Sequence, residues 1–163
     1  MASDYFLKIE GVDGESTDST HKGEIEILSY SWAENQSGTH ASSAGGGGGA
    51  GKVAMHDFNF NMFVNKASPK LMLACATGDH LKTAKLTVRK AGGDQQEFMT
   101  ITFSDILVSS YSTGGSSGGD SVPTESISLN FAKVEFEYKP QKPDGTLDSP
   151  VKTGYNLSTN KKI

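Results

Sequence analysis

The segment that decides the fold is the one convincing helix in the sequence, which reads Ser68-Pro69-Lys70-Leu71-Met72-Leu73-Ala74-Cys75-Ala76-Thr77-Gly78. Ser68 is expected to cap the first turn, Pro69 suits the first helical position, and Gly78 suits the left-handed residue that closes a helix. The side chains of this helix are apolar on all sides, whereas a surface helix carries a single apolar stripe. We therefore predict burial on more than one side, against its own sheet and against either another loop or a neighbouring subunit. The candidate interface residues are Leu71, Met72, Leu73 and Cys75.

Composition limits the classes of protein that the chain can be. Its 163 residues suit a single domain spanning residues 1–163, and a net charge of −4 argues against a nucleic-acid partner. The start has no signal-peptide pattern, and no stretch approaches the roughly 20 apolar residues of a membrane span. The single cysteine, Cys75, cannot form an internal disulfide, which fits a reducing cytoplasm, and its apolar surroundings favour a packing role.

Outside the helix, hydrophobic residues alternate with polar ones in segments that predict β-strands. These segments are residues 5–12, 23–34, 52–64, 82–90, 96–111, 124–139 and 151–157. The alternation slips by one residue near Ile27 and Leu28 and again between Phe131 and Val134, which predicts bends or bulges. Long bent antiparallel strands are typical of a small barrel or of two curved packed sheets. We predict a mainly β fold in which two curved antiparallel sheets form a small barrel with one flanking α-helix.

Two of these strands yield a specific list of side chains for the core. In the second strand the phase slip should turn Leu28, Tyr30 and Trp32 inward. In the third strand the residues expected on the buried face are Ala54, Phe58, Phe60, Met62 and Val64. The intervening stretch, residues 35–51, has no periodicity and contains five consecutive glycines, so we expect a loop that is mobile in an isolated subunit.

No motif in the sequence predicts catalysis, a cofactor or a metal. Gly46 to Lys52 resembles the beginning of a phosphate-binding loop, but Val53 replaces the Mg²⁺-binding hydroxyl and a strand follows. The Gly/Ser tract 114–118 spells a nucleophile elbow without the required strand and helix around it. The four histidines lack metal-ligand spacing. We therefore predict no catalytic, cofactor-binding or metal residues, no enzyme activity, and a structural or binding role.

Several stretches, in the right order along nearly the whole chain, resemble the haemolysin co-regulated protein (Hcp) family of the bacterial type VI secretion system. They are Gln36-Ser37-Gly38 with the glycine run and Ala50-Gly51-Lys52, Pro69-Lys70-Leu71-Met72-Leu73-Ala74-Cys75 with Gly78 and His80, Ala84-Lys85-Leu86-Thr87-Val88-Arg89-Lys90-Ala91-Gly92, Ser112-Thr113-Gly114-Gly115, Leu129-Asn130-Phe131-Ala132-Lys133-Val134 and Tyr138-Lys139-Pro140-Gln141. The resemblance implies a barrel with a flanking helix and a homo-hexameric ring that stacks into a hollow inner tube.

The resemblance also implies partners and a location. The partners are other type VI components such as the spike and sheath, and small effectors that the tube carries and chaperones. The protein is expected in the cytoplasm when assembled and then secreted without a signal peptide. The loop expected to stack one ring on the next contains Gly45, Gly46, Gly47, Gly48 and Gly49. In the ring, we expect Leu71 and Leu73 to be buried.

Small side chains in the second strand suggest a lumen surface. Ser29, Ser31 and Ala33 alternate with the aromatic residues Tyr30 and Trp32. This pattern suits a water-filled lumen that contacts cargo, and it equally suits an ordinary solvent-exposed face. The alternative functions are a monomeric β-barrel ligand-binding module and, with less support, a hydrolase at residues 114–118.

Overall fold

The computed structural model describes residues 2–38, 51–119 and 122–163, and in this part of the chain eleven strands accompany one helix. The elements are β1 (Ser3–Ile9), β2 (Ile25–Glu26), β3 (Ser29–Ser31), β4 (Glu34–Gln36), β5 (Val53–Met55), β6 (Phe58–Phe63), α1 (Ser68–Thr77), β7 (His80–Lys90), β8 (Glu97–Gly114), β9 (Thr124–Tyr138), β10 (Val151–Asn156) and β11 (Lys161–Lys162). The predicted stacking glycines, residues 45–49, lie outside the described residues.

Nine of these strands form one curved antiparallel sheet. Strands β2, β1, β7, β8, β9, β10 and β11 follow one another in hydrogen-bonded order, while β6 pairs with both β9 and β3. Residues 25–31 pair first with β1 and then with β6, so this bent segment brings the two ends of the sheet together. The second sheet contains β4 and β5. The mainly β, barrel-like fold with one flanking helix is confirmed.

The core lies between the walls of the barrel and is dominated by phenylalanine. The ring of Phe103 lies 4.7 Å from that of Phe58 and 4.6 Å from that of Phe131, measured between ring centres. Buried side chains from β7 surround this cluster, as the alternation predicts: they are Ala84, Leu86 and Val88. The Gly92 and Gly93 turn returns β7 directly into β8, as expected for a hairpin.

The predicted second strand is divided into three because the chain changes partners along it. The expected bend lies where β2 ends and β3 begins, between pairing with β1 and pairing with β6. The prediction that Leu28 points inward is wrong, because Leu28 occupies the corner itself and is 46% exposed. The inward alternation resumes with Tyr30 and Trp32, which are half-buried against the core.

The predicted third strand is likewise divided, because the phase changes at His56 and Asp57. Phe58, Phe60 and Met62 are buried as expected. Ala54 and Val64 are exposed, which corrects the predicted inward face at both ends of the segment. Strand β4 pairs with β5 and continues the hairpin made by β3 and β6, with the His56 amide donating to the Ala33 carbonyl at 2.9 Å.

This hairpin corrects the extent of the glycine-rich loop. Asn35 and Gln36 belong to β4 and pair with residues of β5, so the non-periodic stretch begins after them. Gly51 returns so close to Ser37 that an added Cβ would lie 2.0 Å from the Ser37 carbonyl oxygen. Glycine is therefore required there by backbone approach.

The helix begins and ends close to its predicted bounds, with two corrections. Ala67, rather than Ser68, occupies the capping position and makes no side-chain cap, while Pro69 and the left-handed Gly78 lie where expected. Of the two predicted covers for its second side, another loop of the same chain is not found among the described residues: Leu71 is fully buried, whereas Leu73 is 57% and Met72 48% exposed. The helix has one buried face and one exposed apolar face.

Candidate assembly and cargo surfaces

Two rows of small polar side chains cross four adjacent strands, β3, β6, β9 and the last part of β8. Strand register aligns Ser29, Asn61, Ser126 and Ser112 in one row, and Ser31, Asn59, Ser128 and Ser110 in the other. All are exposed except the half-buried Ser128. We call these eight residues the polar wall.

Side-chain hydrogen bonds run along each row from one strand to the next. The Asn61 amide donates to Ser29 Oγ at 2.8 Å, and the Ser126 hydroxyl donates to Asn61 Oδ1 at 2.5 Å. Ser128 makes the equivalent bond to Asn59. Since every member is an uncharged hydroxyl or amide, the polar wall can exchange hydrogen bonds with a passing molecule without attracting or repelling its charges.

Both ends of the polar wall coincide with strand edges. Within the described residues, β3 pairs only with β6. Strand β7 accompanies β8 only from Glu97 to Leu107, so residues 109–114 of β8 pair on one side, with β9. An edge strand presents unpaired N–H and C=O groups that can accept another strand.

The predicted lumen residues lie on this surface in part. Ser29 and Ser31 are exposed members of the polar wall, whereas Ala33 is exposed beyond the end of β3. Sequence reasoning missed the six residues from the other strands. Their signal was present, because Asn59 and Asn61 alternate with buried phenylalanines, but the register that aligns them with Ser29 joins residues about thirty positions apart.

The helix forms a second surface, anchored by a buried carboxylate. Glu125 of β9 is buried and accepts hydrogen bonds from the Ser68 and Tyr111 hydroxyls, which ties the start of α1 to β8 and β9. Burial and the hydrogen bond to Glu125 raise the pKa of Tyr111 to about 12. Of the predicted interface residues, Leu71 lies in the core and Cys75 is half-buried against it. Met72 and Leu73 face outward.

A charged cluster lies around Phe6 on the outer side of β1 and β7, under residues 13–24. Phe6 is stacked on His21, with ring centres 4.3 Å apart, and Arg89 lies 4.8 Å from the ring centre. The cluster comprises Phe6, Asp4, Asp18, His21, Glu24, Arg89 and Glu97. Sequence reasoning missed this cluster, because its paired residues are up to 85 positions apart.

Ion pairs hold this charged cluster together. Arg89 binds both Asp18 oxygens, at 3.1 and 2.8 Å, and one Asp4 oxygen at 3.1 Å. The bonds from Arg89 and from the Thr20 amide hold the pKa of Asp18 well below its usual range. The two ring nitrogens of His21 lie 2.8 Å from Glu24 and 2.6 Å from Glu97.

A groove of about 450 Å³ separates β4 and β5 from β9, β10 and β11. Apolar residues predominate in its lining, among them Trp32, Met55 and Phe136, and the buried Trp32 Nε1 has no hydrogen-bond partner among the residues that the structure describes. Among the described residues, no group of His, Cys, Asp and Glu side chains could hold a metal ion. No helix in the described ranges is long and apolar enough to cross a membrane.

Comparison with known proteins identifies the family. Residues 6–138 match the family model described as "Type VI secretion system effector, Hcp". The chain is 52% identical to Protein hcp1 of Pseudomonas aeruginosa PAO1 over 162 residues, which covers 98% of each chain.

Solved structures agree. A type six secretion system protein is 34% identical with a TM-score of 0.92, the match covering 99% of this chain and 100% of the other. Hcp1 from Salmonella typhimurium is 36% identical with a TM-score of 0.79, over 100% of both chains. The chain belongs to the Hcp family of type VI secretion system proteins.

Proposed function

We propose that the chain is a structural subunit of the type VI secretion inner tube. Six copies form a ring, rings stack into a hollow conduit, and the protein is exported together with small effectors that it carries and chaperones. The observation that carries the proposal is the polar wall, an uncharged surface that ends at an open strand edge on each side.

The polar wall supports a lumen role for Ser29, Ser31 and their neighbours. A conduit must hold cargo weakly enough to release it, and isolated neutral hydrogen bonds contribute only about 0.5–1.5 kcal/mol each. Short serine side chains also leave room for a passing polypeptide. Ala33 adjoins this surface and extends it towards the hairpin of β4 and β5.

The exposed face of α1 supports a role in ring closure. Met72 and Leu73 leave a continuous apolar surface on a helix whose other face is already committed to the core. Exposed apolar patches on a folded domain mark interaction sites. Leu71 and Cys75 belong to the same interface through the packing that fixes the helix, while Met72 and Leu73 contact the neighbouring subunit.

We assign stacking to the glycine-rich stretch that contains residues 45–49. Strands β4 and β5 continue the β3–β6 hairpin, and the glycine-rich stretch joins them. A variant lacking residues 42–48 should form rings that do not stack, as seen by light scattering and negative-stain microscopy. Normal long tubes, or monomers, would contradict the assignment.

Size-exclusion chromatography with light scattering tests the ring directly. We expect a mass six times that of the 17.3 kDa chain. The groove beside Trp32 favours a second candidate, a monomeric β-barrel ligand-binding module. A stable monomer at high concentration would support that candidate and contradict the tube.

A further inference from the structure

The corner between β2 and β3 carries a leucine that the described part of its own chain covers only in part. Leu28 is 46% exposed at the point where the chain leaves β1 for β6. Glu26, two residues earlier, is also exposed. The corner adjoins β3, which is one open edge of the polar wall. This edge of the subunit therefore presents an apolar group beside a negative charge.

The opposite edge presents the complementary pair. The helix packs against β8, and Ser68 and Tyr111 share the Glu125 carboxylate beside the open part of that strand. On the exposed side of the helix, Leu73 follows Lys70 by three residues, so the two side chains are neighbours on its surface. This edge therefore presents an apolar group beside a positive charge.

We propose that the exposed face of α1 in one copy docks on the Glu26–Leu28 corner of the next copy, so that Leu73 packs on Leu28 and Lys70 faces Glu26. The inference rests on the proposed ring and names the two halves of its contact. The halves lie on different edges of one chain, so the contact is head-to-tail, the kind that closes a ring when the rotation between copies permits. In this arrangement the β3 edge of one copy meets the open edge of β8 in the neighbouring copy. Because α1 packs against β8, the helix of that copy then lies at the Glu26–Leu28 corner.

A cross-linking experiment measures the predicted proximity. Leu28→Cys is combined with Leu73→Cys in the otherwise unchanged chain, and the assembled protein is treated with a short bis-maleimide. We expect a ladder of covalent species up to six chains on a denaturing gel, because each copy is linked to the next. The matched control combines Leu73→Cys with Val151→Cys, since Val151 is 66% exposed on β10, away from the corner. This control should give no ladder, and neither should Leu28→Cys or Leu73→Cys alone, which report any cross-link made by the half-buried native Cys75.

A charge exchange provides an independent measurement. Glu26→Lys places like charges across the proposed contact. The protein concentration below which rings dissociate should therefore rise by about tenfold or more. Adding Lys70→Glu should reverse most of that increase. Rings that form with neither a ladder nor reversal would overturn the docking while leaving the tube intact. Failure of the unchanged chain to form any ring would overturn the tube proposal and the docking with it.

Discussion

The polar wall and the charged cluster occupy different faces of one barrel and treat charge in opposite ways. The polar wall is uncharged and open to solvent. In the charged cluster, Arg89 and His21 bind carboxylates from their own chain and lie on either side of Phe6. The difference teaches that the charges of the charged cluster are paired within the chain, and that these pairs hold residues 13–24 against the sheet. The side chains of the polar wall, in contrast, are all neutral.

The largest effect is expected where the charged cluster meets the sheet. Phe6→Ala removes a buried ring from between His21 and Arg89 and should lower the free energy of unfolding by roughly 3–5 kcal/mol. Urea unfolding followed by the fluorescence of Trp32 measures this change. Phe6→Leu is the control, because it keeps most of the volume and loses only the ring interactions, so it should cost clearly less. Equal costs would mean that the stabilisation comes from the contacts of the ring with His21 and Arg89 and that its volume contributes little.

A smaller effect, dependent on pH, is expected from Asp18. Its pKa is lowered in the folded chain from the ordinary 3.8, so its contribution to stability is present above that value and is lost as the pH falls through the folded pKa. Asp18→Asn should therefore destabilise the protein at pH 7 and progressively less below pH 4. Asparagine keeps an acceptor for the Thr20 and His21 amides, so the Arg89 pair is tested. A difference in stability that stayed constant down to pH 2 would contradict this account.

The same contrast explains what could be predicted from the sequence. Alternation along single strands identified Ala84, Leu86 and Val88, and the phase slip located the bend near Leu28. These signals are local because neighbouring side chains alternate across a sheet. The register that aligns Ser29 with Asn61 and Ser126 depends on tertiary pairing, and so does the bond from Arg89 to Asp18.

The helix shows the same limit at the level of one side chain. Apolar character predicted burial for Leu71 and Leu73 alike, yet only Leu71 meets the core. The barrel covers one face of the helix, and which face it covers depends on how the helix docks. Here the hydrogen bond from Ser68 to Glu125, 57 positions away, helps to fix the docking. The exposure of Leu28 was likewise not predictable from local alternation, because the chain changes its partner strand from β1 to β6 at this residue.

A charge placed in the polar wall should alter function more than stability. Asn61→Asp keeps an acceptor for Ser126 but loses the donor to Ser29, and at an exposed site it should cost no more than about 1 kcal/mol. In the proposed ring, retention of a co-expressed effector should then depend on salt concentration, because six new charges face the lumen. Lys85→Gln, an exposed change on the outer side of β7, is the control and should leave retention unchanged. Salt-independent retention in Asn61→Asp would mean that cargo does not contact the polar wall.

The smallest effect on stability is expected at Ser31. Its side chain is exposed at the open edge of the polar wall, so Ser31→Gln adds bulk and a second polar group without entering the core. Unfolding free energy should change by no more than about 0.5 kcal/mol, as for most surface substitutions. Rings should still form by light scattering, while the amount of co-purified effector changes.

Ser29→Gln separates the two meanings that a change at Ser31 could have. Ser29 belongs to the other row and accepts the Asn61 hydrogen bond, so glutamine there adds the same bulk while disturbing the network. If the polar wall holds cargo through its whole width, both variants should alter retention. An effect of Ser31→Gln alone would confine the contact to the row of Ser31 and Asn59. Loss of rings in Ser31→Gln would instead mean that the longer side chain disturbs the proposed contact between the β3 edge and a neighbour's β8, and it would move Ser31 from the cargo surface to the subunit contact.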